Sequence, residues 1–493
     1  MPNTKIIKYK QSHRQKHTKK HSLTKHKQTH IHKASNKQNK HINKHLNKHI
    51  NKHINKHINK DINKHINKHI NKDINKHINK YERVFTIIEP SNVNDREINF
   101  ALLRKILKGY GMRECNPFKC MYQKPMFVWL NHNENSTAKL RKQYYNTDIY
   151  LQNRLIDTED ITSKEKLHLI IKAKYPDIYK KHLKHSFLLT KSWKPPQSQV
   201  YIARPINVLK DKKVKGEKPA GFGGKDIVVI HNKKTLEDAK NNLDKYDNVL
   251  ISEYITNPLL FKNKKFHIRT FLSASIINNI FSAYMADFGF IYTALKEYIN
   301  DDYSNTDIHD THLKSTDDDY YFPNDFNNAN ANATNITADT IKNIFSQIKD
   351  ISRASAEILS NKVKTYDNVQ NGFYIFGVDL MIEINQTPET HTDKHTNIYK
   401  VILLEINEKS GYKTKTPNGR HKLDSLLFNW INNTILKPIF NTHTHTHTLL
   451  ANTLLGNSGT GLGNTLLGNS GTGLTNTPNK LLVFRKEEKY NNT

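Results

Sequence analysis

Residues 399–411 read YKVILLEINEKSG, and an acid and an amide stand inside what is otherwise an apolar run. Tyr399 and Val401–Leu404 call for a buried strand that continues through Glu405, Ile406 and Asn407. In a strand, residues two apart share a face, so Glu405 and Asn407 project together while Ile406 turns into the core. A second apolar run, FGVDLMI (376–382), sets Asp379 in a similar environment. Two carboxylates and an amide oxygen are hard donors that suit Mg²⁺, with water and phosphate oxygens in its remaining positions. The competing reading makes Asp379 and Glu405 strand-end acids paired with Lys or Arg. Both readings respect the rule that buried acids are not left unpaired.

Upstream lies LISEYITNPLLFKNKKFHIRTFL (250–272), whose last part alternates with period two. Lys265, His267 and Arg269 therefore share one strand face, and three cations in a row repel unless they meet phosphate or carboxylate. The plainer alternative is an edge strand kept from aggregating by charge. Earlier still, AGFGGKDIVVI (220–230) runs three glycines, Gly221, Gly223 and Gly224, into an apolar strand. Such a loop lets backbone N–H groups approach a phosphate, although alone it is a weak signal. Together, a glycine loop, a basic strand and a set of acids describe a nucleotide site.

Around these segments the pattern is mixed. YERVFTII predicts a strand, residues 96–108 a helix, and MFVWLNH (126–132) a strand. Residues 163–176 read as a helix ending at Pro176, and the Pro195-Pro196 pair marks a subdomain boundary. QVYIARPINV (199–208) reads as a strand ending near Pro205, and NVLISEYI (248–255) and IFSAYMADF (280–288) read as strands. Residues 300–340, rich in Asn and Asp, read as a mobile loop. Ile341, Ile344, Phe345, Ile348 and Ile351 recur at helical spacing over 340–359, and LLFNWINNTIL (426–436) closes the core as a helix. The expectation is an α+β fold over 82–440, divided into 82–195 and 196–440.

The ends differ in kind. Residues 1–80 hold 22 Lys and Arg against Asp61 and Asp73, a net +20 of the chain's +32, which leaves about +12 for the rest. Residues 41–80 are ten copies of a tetrapeptide, mostly HINK. An Ile every fourth position drifts by roughly 40° per copy around a helix, so no apolar seam is sustained. Residues 1–81 read as a disordered basic tail. It is either a solvated expansion, a non-specific tether to nucleic acid or anionic surfaces, or a loose His-based metal binder. Residues 441–493, with THTHTHT and two copies of NTLLGNSGTGL, read as a low-complexity tail. Cys115 and Cys120 form a weak zinc or redox signal, and low cysteine use agrees with a reducing compartment. With no run of about 18 apolar residues and no apolar stretch behind the basic start, the expectation is a cytoplasmic chain without a membrane span.

The order RP, GFGGKDI, LISEYITNPLLFKNKKFHIRTFL, FGVDLMI, VILLEIN resembles the tubulin–tyrosine ligase-like family of ATP-grasp ligases. NRLIDTEDITSKEKL (153–167) is similar to that family's N-terminal region, and the likeness spans about 86–435. The resemblance implies an ATP-grasp fold, with ATP held between two α+β subdomains. It implies that ATP and Mg²⁺ activate a carboxylate as an acyl phosphate, which the amine of a free amino acid attacks. The implied acceptor is an acidic protein such as a tubulin C-terminal tail. Asp379, Glu405 and Asn407 match metal positions. Glu253 and Tyr254 match the adenine linker. Arg204, Lys218, Gly223, Gly224, Lys225 and Lys265 fall on the nucleotide side. Arg269, Lys265 and His267 stand at the catalytic end.

The chain also departs from that pattern. Arg204-Pro205 replaces the family's Lys-Pro unless Lys218-Pro219 is its equivalent, and Arg is no neutral substitute for a phosphate-binding Lys. His267 stands where Asp is usual, Tyr292 where Arg is usual, and the HLTN element survives as His312-Leu313-Lys314-Ser315. An insertion at 385–397 lengthens the loop between the two acid-bearing strands. A divergent ligase, a pseudo-ligase that binds ATP without catalysis, and a basic scaffold acting through its tail are the readings carried forward.

Overall fold

The computed structural model describes residues 81–89, 99–130, 144, 147–196, 199–209, 227–311, 319–326, 336–388, 395–408, 416–440 and 481–487. The chain divides into two units, Met1–His77 and Ile78–Thr493, and every described residue belongs to the second. The repeat tail therefore lies outside the described residues.

In chain order the elements are β1 (Glu82–Ile88), α1 (Ala101–Gly109), β2 (Arg113–Glu114), α2 (Pro117–Cys120), β3 (Pro125–Leu130) and β4 (Ile149–Gln152). Next come α3 (Glu159–Thr162), α4 (Lys164–Lys174), α5 (Pro176–His182), β5 (Ser186–Leu188), β6 (Tyr201–Leu209), β7 (Val228–Ile230), α6 (Lys233–Lys245) and β8 (Tyr246–Glu253). The last part holds β9 (Leu260–Phe261), β10 (Lys264–Ile277), β11 (Ile280–Thr293), α7 (Thr306–His309), β12 (Tyr320–Phe322), α8 (Ala338–Leu359), β13 (Val369–Pro388) and β14 (His395–Asn407). Helix α9 (Pro417–Ile431) continues through a π-helical turn, Asn432–Leu436, into α10 (Lys437–Phe440), and β15 (Leu481–Glu487) comes last.

These strands form a mixed α+β architecture with two sheets. The larger runs β12-β11-β10-β13-β4-β3-β1-β2, with β14 paired to β13, β15 to β11 and β9 to β10. The smaller is β5-β8-β6-β7. Period-two alternation decides which side chains meet which layer. Phe266, Ile268, Leu272 and Ala274 of β10 and Val378, Leu380 and Ile382 of β13 pack with Ile344, Ile348 and Ile351 of α8. The opposite face sets Phe271, Phe288, Phe290 and Phe373 against Leu103 and Leu107 of α1 and Leu427, Phe428 and Trp430 of α9. Helix α6 covers the small sheet, burying Leu236 and Ala239 beside Tyr201, Ile230 and Ile251. The β10–β11 hairpin turns at Asn278 and Asn279, both at positive φ (50° and 61°), as a tight two-residue turn requires.

Six expectations are corrected. Pro176 does not simply end a helix: it opens α5, where its missing N–H costs nothing. Strand β6 continues through Pro205, which pairs with Val249. The 300–340 stretch is not all loop, because Tyr320–Phe322 add a strand to β11 and Asn305 caps α7. The folded part does not stop at residue 440: Leu481–Glu487 pair antiparallel with Ile280–Met285, and Val483 enters the main core. Cys115 and Cys120 are joined as a disulfide with Cα atoms 5.6 Å apart, because the short turn of α2 brings them together. Strand β5 pairs with β8, so the small sheet begins upstream of Pro195-Pro196. Among the described residues, no helix is long and apolar enough to cross a membrane.

Candidate functional site

Strand register builds the site. Phe290 of β11 lies opposite Arg269 of β10, Arg269 opposite Asp379 of β13, and Asp379 opposite Glu405 of β14. The four residues thus form one lateral row. Arg269 donates from Nε to Asp379 Oδ1 at 2.7 Å and from Nη2 to Oδ2 at 2.6 Å, a bidentate fork. Asp379 is 1% exposed. Gly289 backs this row: a Cβ there would fall 2.8 Å from the Arg269 carbonyl oxygen.

A bulge in β14 makes the acids meet. Asp379 pairs with Glu405 but Leu380 pairs with Leu403, so Leu404 is the extra residue. Tyr399, Val401 and Leu403 face the main core, and unbroken alternation would send Glu405 there too. The shift puts Ile406 into that core instead and turns Glu405 and Asn407 to the opposite face, the face of Ile402 and Leu404. Asn407 then donates from Nδ2 to Asp379 Oδ2 at 3.0 Å and to Glu405 Oε1 at 2.9 Å. Asn407 lies opposite Gly377, which has no side chain to fill the space beside it.

The cations come from separate elements. Lys164, the first residue of α4, reaches Glu405 Oε2 at 2.5 Å. Arg204, on β6, interacts electrostatically with Glu405, and burial lowers its pKa. Lys265, 3% exposed, donates to the Tyr254 hydroxyl, and its Nζ sits 4.0 Å from that ring's centroid. Burial, reinforced by Arg204, pushes the Lys265 pKa down to about 7. Burial opposes the Arg269 charge as well, but the Asp379 charge and hydrogen bonds outweigh it and raise the pKa. His168 of α4 is held down to about 4 by burial, then by Arg204 and Lys164. His267 is buried, its Nδ1 2.6 Å from Thr311 Oγ1 and its ring stacked 5.0 Å from Tyr292. Its Nε2 lies 3.8 Å from Asp379 Oδ1.

Glu253 and Tyr254 mark the passage between the two sheets. The Glu253 N–H bonds the His185 carbonyl, and the Tyr254 N–H that of Val200. Just beyond, the Leu259 N–H bonds Ile382 of β13, and Pro258 bridges Glu383. Lys184 closes the same gap with a 2.6 Å ion pair to Glu383.

The structure therefore gathers Arg269, Asp379, Glu405 and Asn407 tightly, places Lys265 and His267 on their strand face, and brings Arg204 and Tyr254 beside them. Lys218, Gly223, Gly224 and Lys225 lie outside the described residues, as does His312–Ser315. Lys164, Thr311, His168 and the Lys184–Glu383 pair were not found from sequence. Nothing local in SKEKL marks Lys164; only its position at a helix start delivers it to Glu405. Among the described residues no group of three His, Cys, Asp or Glu gathers as a metal cage. Two facing carboxylates and an amide are nonetheless a hard-oxygen set that fits Mg²⁺, which commonly takes one or two protein carboxylates and completes its shell elsewhere. Arg269, Lys164 and Asn407 now neutralise or hydrogen-bond those oxygens.

Comparison with known proteins agrees in direction. The sequence profile of the Tubulin-tyrosine ligase family matches residues 121–445. "Probable tubulin--tyrosine ligase PBY1" of Saccharomyces cerevisiae is 25% identical over 227 residues, covering 43% of this chain and 27% of the relative. "Probable tubulin--tyrosine ligase C12B10.04" of Schizosaccharomyces pombe is 25% identical over 223 residues, covering 44% of this chain and 48% of the relative. The match thus takes in less than half the length of either relative. With a profile match over most of its length, the chain belongs to the tubulin-tyrosine ligase family.

Proposed function

We propose that the chain is an ATP- and Mg²⁺-dependent carboxylate–amine ligase with an ATP-grasp arrangement, joining a free amino acid to an acidic protein acceptor. The observation that carries this reading is the Arg269–Asp379–Glu405 row with Asn407 beside it, facing the side from which Lys265 and Arg204 approach. The nucleotide would lie between the small sheet and β13–β14, with Glu253 and Tyr254 at the base and Lys265 and Arg204 toward the phosphates.

In the reaction an acceptor carboxylate oxygen takes the γ-phosphoryl group and ADP leaves. The amine then attacks the acyl carbon, phosphate leaves and the amine's proton passes to solvent. Held by Asp379, Glu405 and Asn407, Mg²⁺ would spread the charge on the transferring oxygens. Arg269 is positioned for the same charge, since its fork is locked by Asp379 and needs little reorganisation. Lys265 is a buried amine whose charge is disfavoured without an anion, so a phosphate oxygen restores its ammonium form. The mildly basic part beyond residue 80 suits an acidic acceptor, of which a tubulin tail is the proposed case. Such an acceptor would make the cytoplasm the proposed site of action.

The test is Mg²⁺-dependent ATP binding by the full-length chain, which retains β15, comparing wild type with Glu405→Gln. Weaker binding in the variant supports the site, and transfer of labelled amino acids to tubulin then tests the acceptor. No ATP binding by folded wild type sinks the reading. His267 and Tyr292, stacked together where the family carries Asp and Arg, favour a second reading as an ATP binder without transfer. Tight binding with no transfer would select it.

A further inference from the structure

Behind Lys265 lies a line of hydrogen bonds that the proposed reaction does not use. Lys265 Nζ donates to Tyr254 Oη, and Tyr254 Oη lies 2.6 Å from His309 Nδ1. His309 Nε2 in turn lies 2.6 Å from the backbone carbonyl of Asp302. A carbonyl oxygen only accepts, so Nε2 carries hydrogen and the neutral ring offers Nδ1 as an acceptor. The Tyr254 hydrogen therefore points to His309, and its lone pairs face Lys265. The direction of the whole line is set from the Asp302 carbonyl.

The groups around His309 are these. Tyr254 closes one side. Tyr303 stacks on the ring at 5.9 Å and 20°, and Tyr298 meets it edge-on at 6.1 Å. Asp302 is close in charge as well as through its carbonyl, and Lys265 and His231 contribute positive charge. Burial and those cations lower the His309 pKa against the pull of Asp302, so the ring is neutral at pH 7. Arg204 adds further positive charge near Tyr254.

We propose that His309 is a positioning residue for Lys265, acting through the Tyr254 hydroxyl, and that protonation of His309 weakens the capture of nucleotide phosphate by Lys265. Protonated, Nδ1 becomes a donor, so the Tyr254 hydrogen loses its acceptor and the hydroxyl must turn. An imidazolium then shares one oxygen with the Lys265 ammonium, two cations a pair of hydrogen bonds apart. The proposal rests on the reading that Lys265 faces the phosphates, and it adds a titrating group that the proposed nucleotide contacts do not include.

Two measurements on the full-length chain test it. The first follows the His309 imidazole by NMR with labelled histidine, the signal being assigned by its loss in His309→Asn. With no nucleotide present, Lys265→Met and Tyr254→Phe are expected to raise the His309 pKa by about half a unit or more, a threefold change in proton affinity. An unchanged titration in both overturns the coupling, whatever the protein binds. The second measures Mg²⁺-ATP affinity from pH 5.5 to 7.5. Toward pH 5.5 wild type is expected to lose affinity relative to His309→Asn by about twofold or more and under tenfold, because a pKa lowered below 6.5 leaves the ring only partly protonated there. His309→Asn, whose Oδ1 stands in for Nδ1 without titrating, should bind as wild type at pH 7.5 and lose less at pH 5.5. His309→Ala should be weak at every pH. Identical pH profiles for wild type and His309→Asn overturn the proposal. Wild type that binds no ATP at any pH defeats the ligase reading instead, and the NMR titration alone then decides the coupling.

Discussion

Asp379→Ala would take away both acceptors of the Arg269 fork. Asp379 is 1% exposed and accepts both arms of the Arg269 fork, at 2.7 and 2.6 Å, plus the Asn407 amide. The Arg269 side chain is itself only 13% exposed. Removing one partner of a buried ion pair leaves a charge that water cannot fully reach, which costs roughly 3–5 kcal/mol. At roughly 2–4 °C per kcal/mol for chains of a couple of hundred residues, Tm is expected to fall by about 6–20 °C. Replacing both partners with apolar side chains, Arg269→Met with Asp379→Leu, removes both desolvation penalties. The double variant should be about as stable as wild type or more so. A cycle built from Arg269→Met, Asp379→Leu and the double variant should therefore give a coupling of about 3 kcal/mol in denaturant unfolding. Mg²⁺-dependent ATP binding should be lost in every one of these variants. The stability of the site and its use are thus separable. An Asp379→Ala chain within 1 kcal/mol of wild type, or a double variant as unstable as the two single losses added together, would refute the reasoning.

Three other expectations follow from burial and sheet edges. Lys265, with a folded pKa near 7 against an ordinary 10.5, binds its proton more readily in the unfolded chain between those values. Stability should therefore rise by about 4 kcal/mol from pH 7 to 10, and Lys265→Met should flatten that rise in unfolding measurements. Asp424, 3% exposed and raised to about 6 by burial, holds its proton more tightly when folded, so it loses stability as pH climbs from about 4 to 6. Asp424→Asn keeps an oxygen for the Asn99 N–H and should be about 2–3 kcal/mol more stable than wild type at pH 7.5, the gain vanishing near pH 4. Deleting residues 481–493 uncovers the Ile280–Met285 edge of β11 and should produce concentration-dependent association in sedimentation, whereas an unchanged monomer would argue against the pairing.

Much of the frame is legible in the sequence. The runs at 265–276, 372–384 and 399–407 are strands because their apolar residues alternate or run unbroken, and 340–359 is a helix because its isoleucines return every three or four residues. Asp379, Glu405 and Asn407 stood out because a polar group in such a run needs a partner. Where reading failed, the signal was short or distant. Tyr320–Phe322 is a three-residue strand within polar sequence, and Leu481–Glu487 is separated from the core by a repeat that hides it. The cysteines meet through a single turn, a geometry that spacing alone does not distinguish from metal binding.

By itself, then, the sequence determined which segments are strands, which side chains share a strand face, and that an acid–amide pair and a basic row exist. These follow from local rules, the period of the backbone and the cost of burying polar groups. Only the tertiary structure decided that Arg269 lies across from Asp379, and Asp379 from Glu405, because register is a relation between strands more than a hundred residues apart in the case of β10 and β13. It also decided that one extra residue, Leu404, turns Glu405 out of the core, and that Lys164 and His309 arrive from elements with no sequence mark of the site. Charge and periodicity are written along the chain, whereas the neighbours that shift a pKa or close an ion pair are chosen by packing.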